Sequence, residues 1–340
     1  MNSWRTSCIP TRCKQNKVFL LLALGTALIA LLSLCLGAEP IPPVRTLLEL
    51  LRGEENTAVR IMKYMRLPRT CAGLLAGAAL AAAGALVQGV LANSLAAPST
   101  IGVNAGAGLA VALFCAAAPG AFRLVPLAAM AGAFLGVLLV LFIARHTSAS
   151  RITLVLAGVA VSGIFSAGID AIVTLAPDAL DGYSDFRIGG LAGINELGQL
   201  GPALVLIAAA LLAALSLHNE LAVLLLGTEQ ARSLGLPAEK LRLLFLALCA
   251  VLAGSAVSFC GLIGFVGLIV PHMVRQLVGE ESGPLLLGSA LGGAGVLCGC
   301  DLLARLIFAP YELPVGIVMS LVGGPFFLFL LHRRGGRRHD

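Results

Sequence analysis

The sequence predicts an all-α polytopic membrane protein with about ten transmembrane helices. Three observations predict it. Of 340 residues, 59% are hydrophobic and 12% charged, against roughly 25% charged in a soluble domain. The mean hydropathy is +0.98. Apolar runs recur at the ~20 residues a helix needs to cross a bilayer, among them 18–37, 124–144 and 152–175. No soluble fold of this size hides so much apolar side chain, so lipid is its solvent. The spans must be helices, because backbone polar groups in hydrocarbon have to pair within their own segment.

The first 17 residues read as a cytoplasmic N-terminal segment, with Arg5, Arg12, Lys14 and Lys17 and no acid. The run after it is long for a signal-peptide core and lacks a small-x-small cleavage site, so it is read as a retained first helix. The spans fall at about 18–37, 70–91, 100–118, 124–144, 152–175, 202–217, 241–260, 262–279, 285–307 and 314–332, one ten-helix domain over 18–332. Gly261 alone separates the seventh and eighth, which predicts a tight, partly unwound turn. A basic tail, 333–340, follows. With both termini in the cytoplasm, fourteen Lys and Arg lie inside and nine outside, the sign of the positive-inside rule. Six of the nine crowd between Arg45 and Arg69 and ask for a reason.

Two stretches between spans are long enough to have a task. The outer one, 38–65, mixes acids and bases and has room for a short surface helix. In the inner one, 218–240, Gly227 and Gly235-Leu-Pro237 bracket a helix of about two turns, which makes a short helix–turn–helix on the cytoplasmic side. Within the spans, Gly73/Gly77, Gly102/Gly106, Gly132/Gly136 and Gly288/Gly292 each put two small residues on one helix face, a pattern that lets backbones approach closely in lipid.

Several chemistries are excluded. No Gly-x-x-x-x-Gly-Lys-Ser/Thr is present, so the chain hydrolyses no nucleotide with a P-loop of its own. No His-Glu-x-x-His is present, and the five histidines are scattered near predicted membrane borders. Most of the nine cysteines lie in apolar runs and read as small hydrophobes. Cys298-Gly-Cys300 lacks zinc-site spacing. No metal site or bound cofactor is expected. The net charge of +6 is not gathered into a basic domain, so nucleic acid is not an expected partner. Ionisable residues inside spans are costly and therefore of interest. Asp170 is one. Asp301 and Arg305 are spaced to pair at i,i+4.

The chain resembles the FecCD-type permeases of ABC importers for iron-siderophores, haem and cobalamin, in order over roughly 18–332. The motifs that carry this are Arg66-Leu-Pro-Arg69-Thr70, Gly84-Ala-Leu-Val-Gln88-Gly, Asn93-Ser-Leu95-Ala-Ala-Pro98, Gly261-Leu-Ile-Gly264-Phe265 with Pro271-His272-Met-Val-Arg275, Asp301-Leu-Leu-Ala-Arg305, and Glu312-Leu-Pro314-Val-Gly316 with Gly323-Gly324-Pro325. The resemblance implies a type II ABC importer permease fold in the cell inner membrane, paired with a second copy or a paralogue around the path. It implies two cytoplasmic ATPase subunits, which carry ATP and Mg, and a periplasmic or lipid-anchored binding protein. It implies that Arg66, Arg69 and Arg305 meet glutamates of that protein, which would explain the outer arginines. Asn93, Leu95 and Ser150 match its cytoplasmic gate. Leu226, Gly227, Glu229, Ala231, Arg232, Leu234 and Gly235 match the element that couples to the ATPases. The chain departs from the family at Ser94 (usually Pro), Thr228 (usually an acid) and Glu280-Glu281-Ser282 (usually Asp-His-Arg).

The expected function is thus a non-catalytic permease subunit for a metal chelate, with iron-siderophore ranked first and cobalamin or haem behind. An ion-coupled secondary transporter is the alternative class. It predicts inverted repeats and a midmembrane acid relay, neither of which is visible. A membrane-embedded enzyme would need paired polar groups at one depth, and none is found.

Overall fold

The computed structural model describes residues 12–37, 41–54, 56–146, 151–307, 309 and 311–335. In chain order the helices are α1 (Arg12–Cys35), α2 (Pro43–Leu51), α3 (Thr57–Ile61), α4 (Leu67–Val90), α5 (Val103–Ala117), α6 (Val125–His146), α7 (Arg151–Leu175), α8 (Ala179–Ile188), α9 (Gly201–Ser216), α10 (His218–Leu226), α11 (Thr228–Ser233), α12 (Ala238–Cys260), α13 (Val266–Val278), α14 (Ser282–Leu306) and α15 (Val315–Gly335). A π-helical turn, Met62–Arg66, joins α3 to α4. Seven of the helices are long and apolar enough to cross a membrane, and the shorter apolar α5, α13 and α15 bring the number to ten. Each of the ten predicted spans therefore contains an apolar helix. With ten such helices in alternation, the start of α1 and the end of α15 lie at one end of the bundle, the terminal end. The opposite end is the distal end.

α4 and α14 form the most buried pair, and α1 lies at the periphery. α4 touches α14, α12, α13 and α1, while α5 sits among α6, α7 and α8. α4 is central because its side chains are small: Ala72, Ala76, Ala79, Ala81, Ala82 and Ala83 are all buried. In lipid the drive for helix contact is van der Waals packing, which small residues maximise. At the closest approach, a Cβ on Gly77 would overlap the Gly293 carbonyl, and one on Gly293 would overlap that of Gly77. The predicted faces Gly102/Gly106 and Gly132/Gly136 pack on each other in the same way. Gly288 and Gly292 instead receive Val274 and Val270 of α13.

The unwound junction is longer than Gly261. Helix α12 ends at Cys260 and α13 begins only at Val266, so the eighth span starts four residues later than predicted. At about 1.5 Å per residue, α13 is near 20 Å long, too short for a hydrocarbon core of about 30 Å. The non-helical segment 261–265 lies between the two helices. Its backbone is paired by the end of α8: Leu262 N–H donates to Phe186 O at 3.0 Å and Gly190 N–H to Cys260 O at 2.9 Å. Buried in protein, non-helical backbone is tolerated at this depth. Phe265, at φ 66°, turns the chain into α13, and its ring fills the space beside Gly323.

α8 was not foreseen. It has ten residues and contains Asp181, Asp185 and Arg187, too short and too polar for a span. The predicted outer surface helix is two pieces, α2 and α3, linked by Glu49, which accepts from Arg45 Nε at 2.7 Å and Asn56 Nδ2 at 2.8 Å. Donation from Asn56 and then from Arg45 holds the Glu49 carboxyl below the usual carboxylate range. α1 starts at Arg12, inside the predicted N-terminal segment. There Gln15 Nε2 donates to Val278 O at 3.3 Å and to Glu281 Oε2 at 3.1 Å. Residues 1–11 and 336–340 lie outside the described residues.

Gly293→Val is expected to force α4 and α14 apart and to cost about 1–3 kcal/mol, the usual range for overpacking. Thermal or SDS unfolding of the purified protein measures it. Gly198→Val, at an exposed glycine where a Cβ meets nothing within 4 Å and φ is not positive, controls for a glycine replaced outside a helix contact.

Candidate functional site

The distal end holds a closed charge cluster. Asp301 on α14 is 1% exposed. Arg69 Nε, reaching from α4, donates to its two oxygens at 3.0 and 3.1 Å. Arg305 Nε lies 3.2 Å from Asp301 Oδ2, the predicted i,i+4 pair. Arg305 Nη2 also donates to Ser33 Oγ of α1 at 2.6 Å, and that hydroxyl is 2.8 Å from Thr70 Oγ1. Arg66 Nη1 donates to the carbonyls of Leu34 and Cys35 at 2.9 and 2.7 Å, satisfying acceptors that the end of α1 leaves open. Arg69 Nη1 binds Glu312, in the loop before α15.

The three arginines singled out in the sequence are thus brought together, and all three are buried. They form no open basic patch. Arg69 and Arg305 are paired with Asp301, and Arg69 also with Glu312, while Arg66 is engaged by the carbonyls at the end of α1. The Glu312 side chain is 43% exposed, so it is the one accessible member of these ion pairs. The long-range partners Ser33 and Glu312 carry no signal in spacing.

At the terminal end, two sequence-predicted elements lie close to α4. After α4, Asn93 Oδ1 accepts the Leu95 N–H at 3.0 Å, an Asx turn that shapes the loop without proline. Asn93 and Leu95 are exposed, and Ser150 lies outside the described residues. One turn back, Gln88 Nε2 donates to Gly267 O at 3.1 Å, and Gln88 Oε1 accepts from Arg275 Nη2 at 3.1 Å. Gln88 thereby ties the terminal-end portion of α4 to α13, a role missed in the sequence because the partners are 179 and 187 residues away.

The second element is α10–α11. Gly227, at φ 128°, and Gly235, at φ 79°, bend the chain on either side of α11. Ala231 is fully buried, whereas Leu226 and Leu234 are 65% and 64% exposed. Glu229 and Arg232 are also exposed, and Arg232 pairs with Glu239 at 2.6 Å. Thr228 Oγ1 accepts from Arg242 Nη2 at 2.9 Å. Two unburied leucines among charges, on a knob anchored by one alanine, make a surface able to enter a groove. Among the described residues, no group of three or more His, Cys, Asp or Glu is placed to hold a metal.

The family model of the FecCD transport family matches residues 25–333. The chain belongs to the FecCD transport family. It is 37% identical to the Fe(3+)-citrate import system permease protein YfmE of Bacillus subtilis, over 94% of this chain and 97% of that one. It is 36% identical to the hemin transport system permease protein HmuU of Yersinia pestis, over 93% and 97%. Among solved structures, an inward-facing metal-chelate-type ABC transporter superposes with TM-score 0.82 at 28% identity, covering 94% of this chain and 99% of that one. PsaBC from Streptococcus pneumoniae, at TM-score 0.58 and 18% identity, shares the fold. As a FecCD protein the chain is a multi-span membrane permease, a transport subunit rather than an enzyme, with the fold of ABC transporter permeases.

Two of the FecCD departures have local partners. Thr228 bonds Arg242, and Glu281 bonds Gln15, which fastens α1 to the start of α14. Nothing in the structure explains Glu280.

Asp301→Ala leaves two buried guanidinium groups without their shared counter-charge. It is expected to cost about 3–5 kcal/mol, as breaking a buried pair does, read as a lower unfolding midpoint in detergent. Glu312→Gln, partly solvated, is expected to cost about 1 kcal/mol or less.

Proposed function

We propose that this chain is the permease subunit of a binding-protein-dependent ABC importer. It moves a metal chelate across the cell inner membrane by ATP-driven alternating access. The observation that carries this is near-full-length similarity to permeases of Fe(3+)-citrate and hemin import systems. An iron-siderophore chelate is the first candidate substrate, with haem or cobalamin behind. The chain pairs with a second copy or a paralogue, and the path runs between them. Both termini are cytoplasmic, so the terminal end faces two ATPase subunits and the distal end faces a periplasmic or lipid-anchored binding protein.

In this arrangement α10–α11 is the coupling element. Leu226 and Leu234 enter the ATPase groove, Glu229 and Arg232 line its rim, and Gly227, Ala231 and Gly235 set the shape. Asn93, Leu95 and Ser150 close the path on the cytoplasmic side. On the distal side, glutamates of the binding protein meet Arg66, Arg69 and Arg305. Because Glu312 covers Arg69, docking there is an exchange, in which a partner carboxylate takes the place of Glu312. Charge balance at Arg69 is kept throughout. The extended field of the cluster orients the approach.

The test is uptake by proteoliposomes containing this chain with its ATPase and binding protein, supplied with labelled ferric siderophore, haem and cobalamin. ATP-dependent and binding-protein-dependent uptake of one ligand is expected. Uptake driven by an ion gradient without ATPase would instead support a secondary transporter. Leu226→Asp with Leu234→Asp is expected to cut uptake at least tenfold at unchanged protein level. Glu312→Gln is expected to tighten binding-protein docking several-fold in a pull-down titration, about 1 kcal/mol. Unchanged docking would remove the exchange step.

A further inference from the structure

The outward face of α7 changes character halfway along. Ile152, Leu156, Gly163, Asp170 and Thr174 fall within an arc of about 40° when residues are spaced 100° apart. All but Gly163 are side chains, and all five are exposed. In the half nearer the terminal end, this face is Ile152, Leu156 and Val159, each more than 60% exposed, as suits lipid or a dry seam. In the distal half it is Gly163, Ser166, Ala167, Asp170 and Thr174, all exposed. A Cβ on Gly163 would meet nothing within 4 Å.

Asp170 stands at the centre of this distal half. It lies five residues before the end of α7 at Leu175, about 7 Å inside at 1.5 Å per residue. Among the described residues its carboxylate makes no ion pair and no side-chain hydrogen bond. The Thr174 hydroxyl, one turn on, bonds the backbone carbonyl of Asp170 at 2.7 Å and leaves the carboxylate alone. Ionisable side chains in spans face a bundle interior or a wet cavity, because hydrocarbon does not solvate them. Asp has a single methylene, too short to carry its charge out along the helix as Lys and Arg do. Asp301, the other acid deep in a span, is sealed between two arginines, whereas Asp170 is exposed and the hydroxyl of Tyr183 on α8 lies within reach of its charge.

We infer that Asp170 is a charge-selecting residue on the wall of the translocation path. Its carboxylate, held in water, favours chelates with a neutral or positive periphery and disfavours anionic ones. The inference rests on the proposed path between two subunits. Ferric chelates differ in the quantity sensed here. Three monoanionic hydroxamates cancel the ferric charge, and ammonium groups on such ligands make the whole positive. Three dianionic catecholates exceed the ferric charge by three. The substrate class implied is a trihydroxamate-type chelate. In a homodimer the two-fold axis places a second Asp170 across the path and doubles the effect.

The test separates the wall from the transport cycle. Ser166→Cys, one turn from Asp170, is made in a chain whose native cysteines are replaced by Ala. Its modification by cationic and anionic methanethiosulfonate reagents is timed in proteoliposomes, with and without Asp170→Asn. The expected result is reaction with both reagents and a cation-to-anion rate ratio that falls at least threefold when Asp170 is neutralised. A site that reacts with neither reagent faces lipid or a packed subunit, and an unchanged ratio means the carboxylate does not act on the path. Either result overturns the inference and leaves ATP-dependent uptake untouched. In the uptake assay, Asp170→Asn is expected to raise transport of an anionic catecholate or citrate chelate relative to a cationic trihydroxamate. Loss of ATP dependence there would sink the importer itself, whatever the labelling shows.

Discussion

A carboxylate that is 1% exposed near the end of a membrane helix has to be neutralised where it stands. Asp301 meets that constraint with Arg305 from one turn along its own helix and Arg69 from α4. Each arginine then needs acceptors for its remaining donors. Ser33 on α1 and Glu312 before α15 supply them. The distal ends of three spans and one loop are therefore set by a single buried charge. Sliding α4 by one residue would move Arg69 by about 1.5 Å along the axis and 100° around it and break both of its hydrogen bonds to Asp301. Small-residue packing at Gly77 and Gly293 brings α4 and α14 close, and the ion cluster fixes the same register at their distal ends.

The middle of the bundle follows a different rule. Where helix is lost at 261–265, α8 and the loop after it supply the missing backbone partners. The extra distal helix and the broken span belong together, since the break would strand backbone groups without it. Gln88 does similar work nearer the terminal end by bonding the carbonyls of Gly267 and Leu268. The span is continuous in function though not in secondary structure.

Hydropathy and length made the ten spans legible, because crossing a bilayer imposes both on every helix. The i,i+4 pair of Asp301 and Arg305 was legible for the same local reason. α8 was not, because its acids and its ten residues resemble an ordinary loop until its neighbours are known. The late start of α13 was hidden because Leu262, Ile263 and Phe265 are as apolar as the helix they precede. Arg66, Arg69 and Arg305 were found through motif resemblance and an excess of outer charge, but spacing carries no information on whether a guanidinium is open or engaged. Their partners lie 31 to 272 residues away, apart from the local Asp301–Arg305 pair. The exposed leucines of α10–α11 show the converse. Bracketing glycines marked the element, and only the packed structure separated Leu226 and Leu234 from the buried Leu221, Leu224 and Ala231.

α1 is peripheral, and its start is held by a residue that comes much later in the chain, whereas its end is held both early, by Arg66 and Thr70, and late, by Arg305. Gln15 is fastened 266 residues on, by Glu281, and Ser33 is fastened 272 residues on, by Arg305. During synthesis α1 enters the bilayer long before either partner has been made. Until α14 arrives, α1 is tethered only at its Cys35 end, by Arg66 and Thr70, and closing the long loop to α14 carries its own entropic cost. Docking of its start therefore comes late in assembly. A chain broken off before α14 would leave the start of its first span unfastened, and a membrane protease that recognises loose helices would have a direct mark of an unfinished molecule.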